Sequence, residues 1–253
     1  MQVTPYPAVN ALLERLLCGV REVLGNQFVG LYLHGSLAAG DFDPARSDID
    51  FLVATRTELP AETVASLAAF HRAVKESDLT WATNFEGSYI PLKALRRHDP
   101  DHAVYPCVQV DGSFGLERHG IDWVIQRHLI REKGLTLVGP DPKTLIAPVS
   151  AEELRVAARR ILREWWAPML GQPFRLKNSE YQAYAVITMC RILYTVEYGA
   201  VVSKPQAGRW AQERLGSPWD GLIARAMEWR HGVHLDCAGE ALALVAHTLT
   251  LCP

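Results

Sequence analysis

Residues 33–53 read LHGSLAAGDFDPARSDIDFLV, and this stretch decides the fold and points to the chemistry. It is entered from an apolar run, Phe28–His34, that predicts a buried strand, and it leaves through a second predicted strand, Asp48–Ala54. Asp48 and Asp50 are two residues apart in that second strand, so their side chains leave one face with Cα atoms about 6.7 Å apart. Ile49, Phe51 and Val53 fall on the other face, where helices can cover them. Two carboxylates on one face of so apolar a strand require compensation, and a divalent cation supplies it. Such pairs are hard oxygen donors suited to Mg2+ held together with substrate phosphates.

Gly35-Ser36 follows the first strand directly. Glycine lets the backbone turn and approach a ligand closely. Ser36 offers a hydroxyl and a backbone N–H, and a helix starting there would turn its positive end toward a phosphate. Gly-Ser for phosphates, then D-x-D for a metal, with a strand beside each, is a nucleotidyl-transfer constellation. The bland alternative is a capped loop followed by a strand with surface aspartates. A third carboxylate should complete the site. Trp81–Ile90 reads as the next strand, and Glu86 is its only acid. A glutamate in mid-strand is disfavoured by propensity. If this strand neighbours Asp48–Ala54, Glu86 faces the metal site as ligand or general base; otherwise it is an edge-strand glutamate turned to solvent.

Outward from this centre, the first 135 or so residues alternate helix and strand patterns. Val9, Leu12, Leu13, Leu16, Leu17, Val20 and Leu24 recur at helical spacing and Gly25 ends the run. Helices are predicted over Pro60–Ser77 and Ile121–Lys133, and a further strand over Ala103–Val110. The remainder is helical. Ser150–Glu153 and Ser179–Gln182 read as capping boxes, the first opening a helix to Trp166 and the second one to Gly199. Ser203–Gln206 and Ser217–Asp220 mark two more starts, and a last helix covers Ala238–Leu251. Leu137–Pro142 is the linker candidate, which sets domains of 1–140 and 141–253. The expected fold class is α+β, a mixed sheet with helices followed by a C-terminal α-helical bundle.

Composition bounds the function. With 253 residues the chain buries roughly three quarters of its unfolded surface. Twenty-six basic against 28 acidic residues give a net charge of −2, unlike a generic nucleic-acid binder. No apolar run reaches the 18 or so residues of a membrane span, and residues 1–10, MQVTPYPAVN, lack a signal-peptide pattern. Five widely spaced cysteines read as buried reduced thiols, so a cytoplasmic setting is expected. His231, His234 and Cys237 form a three-ligand zinc pattern without a fourth member. Arg96, Arg97 and His98 read as a solvated run, and the helical tryptophans as core, with one or two available to line a pocket.

These motifs resemble the DNA polymerase β-type nucleotidyltransferase superfamily and, more narrowly, the bacterial aminoglycoside adenylyltransferases that modify spectinomycin and streptomycin. His34–Ser36 with Ser47–Asp50 is similar to the family signature, and residues 85–90, FEGSYI, to the strand with its catalytic glutamate. Leu137–Pro140 resembles the interdomain crossing. Residues 190–194, CRILY, and 202–211, VSKPQAGRWA, resemble the C-terminal helical domain. The resemblance implies a polymerase β-like N-terminal domain and an ATP-dependent O-adenylyltransferase. Asp48, Asp50 and Glu86 would hold Mg2+, with Glu86 as the base. Gly35, Ser36 and Ser47 would contact the triphosphate, and Arg191 and Lys204 would bring cations to it. An interdomain cleft would take ATP and an aminoglycoside-like acceptor, in a chain expected to be monomeric. Streptomycin-modifying members use an aromatic and an acidic residue to hold the drug. Here Trp165 or Trp166 could supply the aromatic, but no Asp occurs from Trp166 to Tyr181 and Glu180 is the only acid there, which departs from the streptomycin pattern and leaves open spectinomycin, smaller and less charged, and a substrate that is no antibiotic. The rival readings are a nucleotidyltransferase acting on a protein or another metabolite, and a nucleotide-binding regulatory protein.

Overall fold

The computed structural model describes residues 2–253, which divide into two compact units, residues 2–148 and Val149–Pro253. In the first, α1 (Pro7–Leu24), β1 (Phe28–Leu33), α2 (Gly35–Ala39), β2 (Ile49–Thr55), α3 (Ala61–Lys75), β3 (Phe85–Pro91) and α4 (Leu92–Leu95) lead to β4 (Val104–Val108) and β5 (Phe114–Arg118). Then come α5 (Asp122–Lys133), β6 (Leu135–Val138) and α6 (Pro142–Leu145). The six strands form one mixed sheet in the order β5-β4-β3-β2-β1-β6. Only β2 and β3 run parallel, joined through α3; the other neighbours are antiparallel.

The two-residue period of β2 places its apolar side chains on both faces. Ile49, Phe51 and Val53 pack with Leu12, Leu13 and Leu16 of α1 and with Leu67, Phe70 and Val74 of α3. Leu52 and Ala54 join Tyr32, Ile90, Tyr105 and Ile130 on the opposite face. Asp50 shares the face of Leu52 but lies at the open end of the strand, where it is half-buried. A sheet covered on both sides explains why β2 reads as an almost continuous apolar run.

Several boundaries differ from the sequence-based expectation. The strand expected over Trp81–Ile90 begins at Phe85, because residues 81–84 are spent in turns closed by Ala82 N–H to Leu79 O and Asn84 N–H to Trp81 O. The strand expected over Ala103–Val110 is half of a hairpin, with β5 as its unanticipated partner. Leu137 and Val138 are not linker: they belong to β6, which covers the free edge of β1 and satisfies its backbone groups. The chain passes from one unit to the next after Pro148.

The second unit contains α7 (Ala151–Ile161), α8 (Ser179–Tyr198), α9 (Lys204–Leu215), α10 (Trp219–Glu228) and α11 (Ala238–Leu251) around their own core, with Leu162, Trp166, Val186, Met189, Ile223 and Leu244 inside it. Ser150 and Glu153 make both halves of a capping box. The helix continues past Ile161 as a wide π-type turn, Leu162–Trp166, which turns Trp166 inward and leaves Trp165 46% exposed. Ser179 is not the cap of α8. Asn178 accepts the Glu180 N–H, and the Ser179 hydroxyl instead exchanges hydrogen bonds with the Leu235 backbone, tying two segments 56 residues apart. Pro218, not Ser217, occupies the cap position of α10. Cys107, Cys190, Cys237 and Cys252 are buried free thiols, whereas Cys18 is exposed. No helix among the described residues is long and apolar enough to cross a membrane.

Candidate active site

Parallel pairing of β2 with β3 sets Asp50 directly beside Glu86 in the register. Asp48 precedes β2 by one residue. Each of the three half-buried side chains offers a carboxylate oxygen that lies within 4.8 Å of the others. The edge-strand alternative for Glu86 is thereby excluded, since β3 is flanked by β2 and β4. Three carboxylates converging this closely repel one another strongly. A hard divalent cation coordinated by oxygen relieves that repulsion. Among the described residues this is the one group of three or more His, Cys, Asp or Glu side chains arranged to share an ion. His231, His234 and Cys237 are not gathered: Cys237 is buried and the His231 ring stacks edge-on against Trp229.

The loop from β1 shapes the other wall. Gly35 opens α2 with φ of +61°, a left-handed conformation that disfavours any residue with a Cβ. A Cβ there would also collide with Oδ2 of Asp50. Glycine is therefore required twice, by the turn and by the close approach to the Asp50 carboxylate. Ser36, half-buried, has a hydroxyl oxygen sealed from solvent and without a hydrogen-bond partner among the described residues. Such an orphaned hydroxyl is costly unless a ligand accepts from it, which suits a phosphate oxygen. Ser47 closes a tight loop: its N–H donates to Asp43 O at 2.8 Å and its Oγ accepts the Asp43 N–H at 3.0 Å. With its lone pair engaged, the Ser47 hydroxyl proton remains to be donated. Arg46 stiffens the loop through Asp43 at 3.2 Å.

His34, part of the signature motif but given no role from the sequence, stitches the site together. Its backbone N–H donates to Asp50 O at 3.0 Å. Its ring is buried, and desolvation pushes its pKa down to about 4, against the opposing pull of a hydrogen bond to the Phe51 carbonyl and of nearby Asp48. It is a neutral spacer at neutral pH.

Gly35, Ser36, Ser47, Asp48, Asp50 and Glu86 all lie in the first unit. Arg191, partly buried on α8, and Lys204, the first residue of α9 after its Ser203 cap, lie in the second. Trp166 is buried in the helical core, so Trp165 is the aromatic of that pair open to a ligand.

Comparison with known proteins agrees with this division. Residues 17–98 match the nucleotidyltransferase domain family, and residues 144–250 match the aminoglycoside adenylyltransferase C-terminal domain family. An aminoglycoside (3'') (9) adenylyltransferase of Klebsiella pneumoniae is 25% identical over 229 residues, covering 87% of this chain and 84% of its own. A spectinomycin 9-adenylyltransferase of Staphylococcus aureus is 25% identical over 206 residues, covering 76% and 74%. The crystal structure of a spectinomycin adenyltransferase from Enterococcus faecialis, with ATP and spectinomycin, shares the fold at a TM-score of 0.74 and 17% identity, over 95% of this chain and 99% of that one. The carboxylate site sits in a nucleotidyltransferase domain, the helical unit matches the aminoglycoside adenylyltransferase C-terminal domain, and the chain belongs to the aminoglycoside adenylyltransferase family of nucleotidyltransferases.

Proposed function

We propose that this nucleotidyltransferase is an ATP-dependent O-adenylyltransferase that transfers AMP to a hydroxyl of an aminoglycoside-class acceptor and releases pyrophosphate. The observation that carries the reading is the convergence of Asp48, Asp50 and Glu86 within 4.8 Å beside the Gly35-Ser36 turn. Asp48, Asp50 and Glu86 hold Mg2+, which, when bound, neutralises phosphate charge and stabilises the attacking and leaving oxygens. Glu86 takes the proton of the acceptor hydroxyl as that oxygen attacks the α-phosphate in line. Gly35 keeps the backbone out of the way of Asp50, and Ser36 and Ser47 donate to the triphosphate. Arg191 and Lys204 supply the cations that the departing pyrophosphate requires.

The relatives that match both units are aminoglycoside and spectinomycin adenylyltransferases by name, which supports the acceptor class. The test is pyrophosphate release from Mg·ATP across a panel of aminoglycosides and aminocyclitols. Release that depends on one of these acceptors, and is abolished in Glu86→Gln, is the expected result. Label from ATP appearing only in protein, or no acceptor-dependent release, overturns the reading.

A further inference from the structure

Behind Glu86, on the same face of the sheet, lies a buried polar cluster to which the reaction as proposed gives no part. Ser88 follows Glu86 by two residues in β3, so the two side chains leave one face with Cα atoms about 6.7 Å apart. The Ser88 hydroxyl lies 3.1 Å from Sγ of Cys107, its cross-strand partner on β4, and 3.0 Å from Nε2 of His119. The Cys107 thiol donates in turn to Tyr105 O at 3.4 Å. All three residues are buried. The His119 ring lies flat on Trp123 of α5, with centroids 3.5 Å and planes 2° apart, and its backbone N–H donates to Ala103 O at 2.7 Å. Arg127, 5.7 Å from the Trp123 ring, fastens α5 to the Ala94 and Leu95 carbonyls.

The bonds of the cluster run one way. His119 Nδ1 is buried without a hydrogen-bond partner among the described residues. A buried lone pair without a donor is tolerated better than a buried N–H without an acceptor, which assigns the ring proton to Nε2. His119 Nε2–H then donates to Ser88 Oγ, Ser88 O–H to Cys107 Sγ, and the thiol to Tyr105 O. Ser88 is the link that both receives and gives.

The strand beside Glu86 has little else to hold it on that side. β3 pairs with β2 along seven residues, but with β4 only at Gly87 with Val108 and Ser88 with Cys107. The β4 ladder therefore ends one residue short of Glu86. Gly87 offers no side chain as an anchor, and a Cβ there would meet the Phe51 ring and carbonyl at 2.5 Å. Ser88 is the first residue beyond Glu86 whose side chain ties β3 to β4.

We propose that Ser88 is a positioning residue: its bonds to His119 and Cys107 lock the β4–β5 hairpin onto β3 and thereby fix the place and direction of the Glu86 carboxylate. This rests on the reading of Glu86 as the base that takes the acceptor proton. Without the hydroxyl, β3 loses its nearest side-chain tie on the β4 side and the carboxylate departs from the line of proton transfer. A misplacement of about 1 Å costs up to about a hundredfold in rate, while ATP, held by other residues, binds as before.

The test compares Ser88→Val with Ser88→Thr, which share a shape and differ in the hydroxyl; Ser88→Ala, which adds no bulk, is the second variant without it. Calorimetry with Mg2+ and a non-hydrolysable ATP analogue counts the nucleotide sites in each full-length protein, and acceptor-dependent pyrophosphate release is expressed per site. Ser88→Val and Ser88→Ala lower kcat per site by about tenfold or more and leave ATP affinity within about twofold, whereas Ser88→Thr keeps kcat within about threefold. An unchanged kcat per site, an equal loss in Ser88→Thr, a matching loss of ATP affinity, or failure of both Val and Ala variants to bind ATP overturns the positioning role, and each leaves the reading of Glu86 intact. Glu86→Gln with undiminished release, or wild type with no acceptor-dependent release, overturns that reading, and this proposal with it.

Discussion

Replacing Asp50 by Asn separates what the carboxylate cluster does for the fold from what it does for chemistry. Asp50 offers an oxygen within 4.8 Å of both Asp48 and Glu86. Two unit charges at that distance repel by about 3.5 kcal/mol at an effective dielectric of about 20, and by about 1 kcal/mol in bulk water. All three groups are half-buried, so the true value lies between these limits. The amide has the same shape, removes one of the charges from both pairs and adds a donor. Without divalent metal, Asp50→Asn is therefore expected to stabilise the first unit by about 2 kcal/mol, a rise of about 4–8 °C in its unfolding midpoint for a domain of this size. Added Mg2+ at about 100 times its Kd stabilises wild type by about 2.7 kcal/mol, whereas the variant gains much less. The order of stability thus reverses between EDTA and excess Mg2+, while pyrophosphate release by the variant falls by at least about a hundredfold. Thermal melts in both conditions, with turnover measured in parallel, decide the matter. A variant less stable than wild type in EDTA, or one that keeps turnover within tenfold, refutes the reasoning.

Gly35→Ala forces a Cβ into a left-handed backbone against Asp50 Oδ2; about 1–2 kcal/mol of stability is lost to the backbone alone. Turnover falls by more than about tenfold because the carboxylate must move, and urea titration with a rate assay finds otherwise only if the approach is not as described. Arg191→Ala is expected to weaken ATP binding at least about tenfold more than acceptor binding, measured by calorimetry; equal losses would remove Arg191 from the phosphate site. His71 and His119 are buried neutral, with burial as the main cause holding their pKa values near about 3 and about 2. The unfolded chain takes up protons below about pH 6.5 that these folded histidines refuse, so stability is full above that pH and falls as pH drops toward 3 and 2, by about 1.4 kcal/mol per unit for each group. His119→Gln, which keeps a partner for Ser88, should remove one such share from the slope of urea midpoints between pH 6.5 and 5; an unchanged slope refutes the assignment.

Local rules settle much of this molecule before folding. The two-residue period that puts Asp48 and Asp50 on one side and Ile49, Phe51 and Val53 on the other is a property of any strand. The Ser150–Glu153 cap and the helix from Ala238 to Leu251 are likewise local, because each is decided by backbone groups and side chains within one or two turns. Motifs whose partners are distant in sequence read less well. Ser179 has the spelling of a cap but is recruited by Leu235, and the neighbouring Asn178 takes its place. Leu137 and Val138 look like linker because nothing nearby shows that the edge of β1 needs a partner.

The same division runs through the site. By itself the sequence supplied the carboxylates, the Gly-Ser turn and the candidate third acid, since each is a residue type in a local pattern. Only tertiary structure placed Glu86 opposite Asp50, because strand order and register depend on which apolar faces find each other across the sheet. Only tertiary structure made Gly35 indispensable, through a clash with a side chain fifteen residues away, and laid Arg175 over Trp165. Repulsion among gathered charges and the stacking of a cation on a ring act through space within a few ångströms, and sequence order does not fix those distances.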